Sequence, residues 1–199
     1  MEARFVGRMA ALAAALTACR ANSADRSPAP ASAFVPIPNV ELVTHEGQPV
    51  RFYDDLVRGR VVVVQFFFVH CEGVCPLSTG RLLELQDALG PRLGRDVSFL
   101  SITLDPERDT PEVLAEHARS IGAAHGWTFL TGAAADIEAL RRRLGVFDLD
   151  PVLDADRNQH AGVLVLGNDA KQRWTMKPAT LSAAFLLQSI ERLIGTRAS

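Results

Sequence analysis

The apolar residues of this chain follow two rhythms. Val61 to Val69 reads VVVVQFFFV, β-branched and aromatic without clean polar alternation, and predicts a central strand covered on both faces. From Pro76 to Leu89, Leu82, Leu85 and Leu89 recur at helical spacing, Pro76 suits a first helical turn, and Gly90-Pro91 ends the segment. Val97 to Leu104 is a second apolar strand. Thr110-Pro111-Glu112-Val113 opens a helix to about Ile121, with a hydroxyl cap, proline at the first position and an acid in the first turn. Trp127 to Leu130 reads as a short strand, Ala134 to Leu144 as a helix ending at Gly145, and Leu181 to Ile194 as a closing helix. Two hairpins frame these elements: Val40 to Val43 with Val50 to Phe52, and Val163 to Leu166 with Arg173 to Met176. The order is hairpin, alternating strands and helices, hairpin and helix. It predicts an α/β fold with helices on both faces of one sheet, and no internal repeat is visible.

The first 33 residues share neither rhythm. Arg4 and Arg8 precede the apolar run Met9 to Leu16, which is too short to span a bilayer as a helix and has the anatomy of a signal peptide. Leu16-Thr17-Ala18-Cys19 resembles the bacterial lipobox, whose cysteine thiol receives diacylglycerol before cleavage. Residues 1–18 are therefore expected to be a lipoprotein signal peptide, with Cys19 the lipidated first residue of the mature chain. Residues 19–33, small, polar and proline-containing, read as a flexible tether, and residues 34–199 as the folded domain. The expected location is extracytoplasmic, on the periplasmic side of a bacterial membrane and held there by lipid.

Composition narrows the partners. A chain of 199 residues fits one domain with some left over, and 48% hydrophobic with 22% charged residues is ordinary for a globular core. Twenty-one basic against 23 acidic residues give a formal charge of −2, and removing residues 1–18 leaves −3. There is no basic footprint for nucleic acid, and nothing that attracts an anionic membrane surface. Three cysteines are too few for a disulfide-built miniprotein.

The densest chemistry is His70-Cys71-Glu72-Gly73-Val74-Cys75-Pro76, where the first central strand meets the first long helix. Loops at the carboxyl ends of such strands are where open α/β sheets bind ligands. A cysteine at a helix start faces unpaired N–H groups and the positive end of the dipole, so Cys75 is expected to have a lowered pKa. Two thiolates at i and i+4 can close a disulfide or clamp a soft metal such as copper(I), and the spacing alone does not choose between them. A structural disulfide closing so short a loop would stabilise little, and structural zinc would want four ligands. Asp154-x-Asp156-x-Asn158 begins like a calcium loop, but Gln159 and Val165 stand where such a loop needs Gly and Glu.

Phe68 to Pro76 resembles the CxxxCP signature of the Sco (SenC) family, thioredoxin-like proteins that carry copper to the dinuclear copper centre of cytochrome c oxidase. Ile102-Thr103-Leu104-Asp105-Pro106-Glu107-Arg108-Asp109-Thr110-Pro111 resembles that family's DPxRDTP segment. The resemblance implies a thioredoxin-like fold with a central mixed sheet, helices on both faces and an N-terminal hairpin. It also implies a third copper ligand in a late histidine, and His160, the only histidine after His125, lies just before the strand Val163 to Leu166. Cys71, Cys75 and His160 would then make a two-sulfur, one-nitrogen site for copper(I) or copper(II). Gln159 replaces the Asp that the family usually has before this histidine, a change that bears on copper(II) more than on copper(I). Asp105 and Asp109 resemble family acids near the metal, yet Asp-Pro and Asp-Thr-Pro are also turn and cap chemistry, and both are expected to be structural. His45, His117 and His125 show no partner pattern, and His70 is expected to be a neighbour of the site.

The function implied is that of a copper metallochaperone, a binding protein rather than an enzyme. Its partner would be the copper-bearing subunit of cytochrome c oxidase or another copper chaperone. The rival is a thiol-disulfide oxidoreductase in which Cys71 and Cys75 cycle to keep a partner's cysteines reduced. Redox exchange does not require His160, and metal transfer does. A thiol peroxidase is disfavoured, since nothing here resembles the Thr-x-x-Cys surroundings of a peroxiredoxin's reactive cysteine.

Overall fold

The computed structural model describes residues 36–71, 75–156 and 162–195. Cys19 and His160 therefore lie outside the described residues, as do the expected signal peptide and tether.

Among the described residues, seven strands form one mixed sheet in the order β2-β1-β5-β4-β3-β6-β7. The central strands β3 (Val61–Phe67), β4 (Ser98–Thr103) and β5 (Trp127–Gly132) run parallel, with Gln65 opposite Ser101 and Ser101 opposite Phe129. The hairpin β1 (Glu41–Thr44) and β2 (Pro49–Arg51) adds antiparallel to β5 on one side. The hairpin β6 (Val163–Asn168) and β7 (Arg173–Pro178) adds antiparallel to β3 on the other. This is the expected mixed sheet, with each strand within a few residues of its predicted bounds.

The strand β3 shows why its sequence lacks polar alternation. Val62, Val64 and Phe66 point into one apolar cluster with Leu100, Ile102, Leu130, Ile137 and Leu140. Val63 and Phe67 point into the opposite cluster with Leu82, Leu85, Phe99, Phe129, Leu186 and Ile190. Both faces are dry, so polar residues have no place except where a partner waits. The helices α1 (Cys75–Leu89), α2 (Pro111–Ile121) and α5 (Ala183–Ile194) contribute to the second cluster, and α3 (Ala134–Arg143) to the first.

Helix ends follow the expected chemistry. Thr110 accepts from the Val113 N–H, Pro111 occupies the first turn, and Gly122 closes α2 in the left-handed conformation at φ 72°. Some elements have no counterpart in the sequence pattern. Phe52–Val57 forms a π-helical turn whose leading Tyr53 and Asp54 N–H groups both donate to Asn39 Oδ1 at 3.1 Å. Pro151–Ala155 forms a short helix, α4, capped by the Asp150 carboxylate on the Val152 N–H.

Candidate functional site

The site sits where β3 gives way to α1. The backbone turns after Phe67, the Cys71 N–H donates to the Phe68 carbonyl at 3.3 Å, and Cys75 is the first residue of α1. Both cysteines are buried thiols, 8% and 4% exposed. Their side chains are hydrogen-bonded to each other, and the Phe68 backbone also bonds the Cys75 sulfur. The sequence spacing thus brings the two sulfurs together as expected.

The expected acidification of Cys75 does not occur. Its pKa is pushed up from 9.0 to about 12, first by burial and then by the hydrogen bond and charge of Cys71, while backbone hydrogen bonds at Phe68 and Cys75 oppose the change. A helix start favours the thiolate only where water or a cation also serves it. At a position 4% exposed beside a second sulfur, desolvation dominates.

The Asp109 carboxylate of the second motif has a structural task. Asp109, 1% exposed, accepts through Oδ2 from the Val69 N–H at 3.1 Å and the Thr103 hydroxyl at 2.5 Å, while Thr103 Oγ1 accepts from the Asp105 N–H at 2.9 Å. The carboxylate therefore ties the loop after β4 to the chain just ahead of Cys71. The sequence placed Asp109 in local cap chemistry; its carboxylate instead joins Thr103 to Val69, forty residues away.

Behind Cys75 lies a polar chain that sequence reasoning missed. Trp127 Nε1 donates to Ser101 Oγ at 2.9 Å, Ser101 to Gln65 Oε1 at 3.0 Å, Gln65 Nε2 to Ser78 Oγ at 2.8 Å, and Ser78 to the Cys75 carbonyl at 3.0 Å. Its only trace in the sequence is Gln65, a lone polar residue in an apolar run.

Of the histidines, His70 is exposed. His117 is half-buried, stacked on Phe67 at 5.6 Å and edge-on to Phe129, and burial lowers its pKa against the pull of Asp109. His45 accepts the Phe129 N–H through Nδ1. Among the described residues no group of three His, Cys, Asp or Glu side chains is placed to hold a metal. The acidic segment is likewise committed elsewhere: Asp154 pairs with Arg141 and Arg142 and accepts the Asp148 N–H. Among the described residues no helix is long and apolar enough to cross a membrane.

The sequence model of the SCO1/SenC family matches residues 33–195. The chain belongs to that family. Curated relatives are 29–35% identical to it over 77–116 residues, and the chain spans only 34–55% of their length. Three solved structures, each 22% identical, share the fold. A SCO1/SenC family lipoprotein from Bacillus anthracis has a TM-score of 0.61, with 78% of this chain and 93% of that one covered. Arabidopsis thaliana ScoI with copper bound has a TM-score of 0.61 over 80% and 98%. BsSco, a member of the Sco family of cytochrome c oxidase assembly proteins in which a disulfide switch is identified, has a TM-score of 0.63 over 79% and 92%. The fold is thioredoxin-like.

Proposed function

We propose that this SCO1/SenC protein is a copper metallochaperone that holds copper(I) through Cys71, Cys75 and His160 and delivers it to the dinuclear copper centre of cytochrome c oxidase. The observation that carries the reading is the pair of buried thiols hydrogen-bonded to each other at the carboxyl end of a central strand. Two adjacent soft donors in an apolar setting fit copper(I), and the donor set would gain an imidazole from His160. Copper in the Arabidopsis relative and the cytochrome c oxidase assembly role of the BsSco family support this assignment. The partner is the copper-bearing subunit of the oxidase or another copper chaperone. Lipidation at Cys19 would hold the domain on the extracytoplasmic face of the membrane, a reading supported by the LTAC segment and by the lipoprotein relative.

A second reading, a thiol-disulfide oxidoreductase, is favoured by the same sulfur-to-sulfur hydrogen bond, since thiols this close can also close a disulfide. Titrating the reduced protein against a copper(I) chelator separates the two. We expect about one copper(I) per chain, lost in Cys71→Ser and Cys75→Ser and about tenfold to a hundredfold weaker in His160→Ala. No competition for copper(I) by the reduced protein would leave the oxidoreductase reading in its place.

A further inference from the structure

Gln65 is buried to 1% exposure in the middle of β3, on the face that packs against α1, where Val or Leu would fill the space without any polar atom to satisfy. A buried amide belongs in such a place only if its hydrogen bonds are complete, and these are. The Trp127 indole can only donate, so Ser101 Oγ accepts it, and Ser101 sends its own proton on to Gln65 Oε1. This turns the Gln65 NH2 toward α1, where it donates to Ser78 Oγ at 2.8 Å and Thr79 Oγ1 at 3.4 Å. Ser78, 0% exposed, has one proton left, and it goes to the Cys75 carbonyl. The result is a one-way chain from β5 through β4 and β3 to the first turn of α1, ending on the backbone of a cysteine.

We propose that this chain positions Cys75 against Cys71, with Gln65 as a positioning residue for the dithiol pair. The inference rests on Cys71 and Cys75 being the working pair. On the other side of the turn, Cys71 is set by its N–H on the Phe68 carbonyl and by the Asp109 carboxylate on the Val69 N–H. The strand end and the helix start are therefore each tied down by polar bonds to the sheet. The first turn of α1 cannot rotate or slide along β3 without breaking the Gln65 bonds to Ser78 and Thr79. Both events available to the pair, clamping one copper(I) and closing one S–S bond, need two sulfurs at a set separation, so each gains from that order in advance.

The test uses the reduced full chain and the variants Gln65→Met, Ser78→Ala and the double variant, with two measurements on each. One is copper(I) affinity by chelator competition. The other is the equilibrium with glutathione disulfide, in which one S–S bond forms between Cys71 and Cys75, the S–S bond of glutathione disulfide breaks, and both electrons and both protons leave as two glutathione thiols. Each single variant is expected to weaken copper(I) binding and disulfide closure by about tenfold, a rise of about 30 mV in the midpoint of the pair. The double variant is expected to lose no more than either single one, because Gln65 acts through Ser78. Ile190→Val, a trim of the same core cluster away from the cysteines, is expected to lower the unfolding temperature and move neither equilibrium. Unchanged equilibria in both single variants, additive losses in the double variant, or an equal loss in Ile190→Val would each overturn the positioning role while leaving the function of the pair intact. A parent protein that neither competes for copper(I) nor equilibrates with glutathione would overturn the reading of the pair itself, and the positioning role with it.

Discussion

Two polar clusters hold helix ends in this molecule, and they are built from opposite materials. The first turn of α1 is held by neutral groups alone, an indole, two hydroxyls and an amide, all buried. The helix α4 is held by charge: Arg141, with its side chain 5% exposed, forks onto Asp154 at 2.7 and 2.9 Å, donates to the Val146 carbonyl, and shares Glu138 with Arg142. The ionic cluster is workable because its outer members, Glu138 and Arg142, reach solvent. The chain behind Cys75 carries no charge of its own.

The contrast predicts different fragilities. Arg141→Ala strands the Asp154 carboxylate and the Val146 carbonyl and should cost about 2 kcal/mol in urea unfolding, less than for a fully dry pair because Glu138 is 43% exposed. A change within about 0.5 kcal/mol would demote the ionic cluster to surface decoration.

Acid should separate the two clusters by a smaller margin. The guanidinium of Arg141 holds the Asp154 and Glu138 carboxyls below their ordinary values. A carboxyl with a depressed folded pKa stabilises the fold above its unfolded value, near 4, and loses that contribution as pH falls through the folded value. Stability should therefore fall below about pH 4, and fall less steeply in Asp154→Asn, while the neutral chain behind Cys75 contributes no slope there. Parallel acid profiles for the parent and Asp154→Asn would contradict this assignment.

What the sequence made legible was whatever is dense or periodic. The strand β3, the helix α1 and the pair Cys71 and Cys75 lie within thirty residues, where the pattern of the strand, the spacing of the leucines and the chemistry of the turn agree. What stayed hidden depends on a distant partner. The π-helical turn at Phe52–Val57 is started by Asn39, and α4 is pinned by Arg141. Asp109 serves Val69 rather than its own helix. Cys75 shows the same limit in its chemistry. Its place at the helix start was readable, and the sign of its pKa change was not, because burial comes from helices and strands far along the chain.

The central claim is that the dithiol pair is a copper(I) site, and a redox titration of Cys71 and Cys75 with and without copper(I) tests it most directly. The pair is followed by thiol alkylation under anaerobic conditions in buffers of fixed potential. Copper(I) binds the dithiol and not the disulfide, so saturating metal should raise the midpoint by about 30 mV for each tenfold excess of copper(I) over its dissociation constant. Identical midpoints with and without copper(I) would contradict the account and remove the metal from this site.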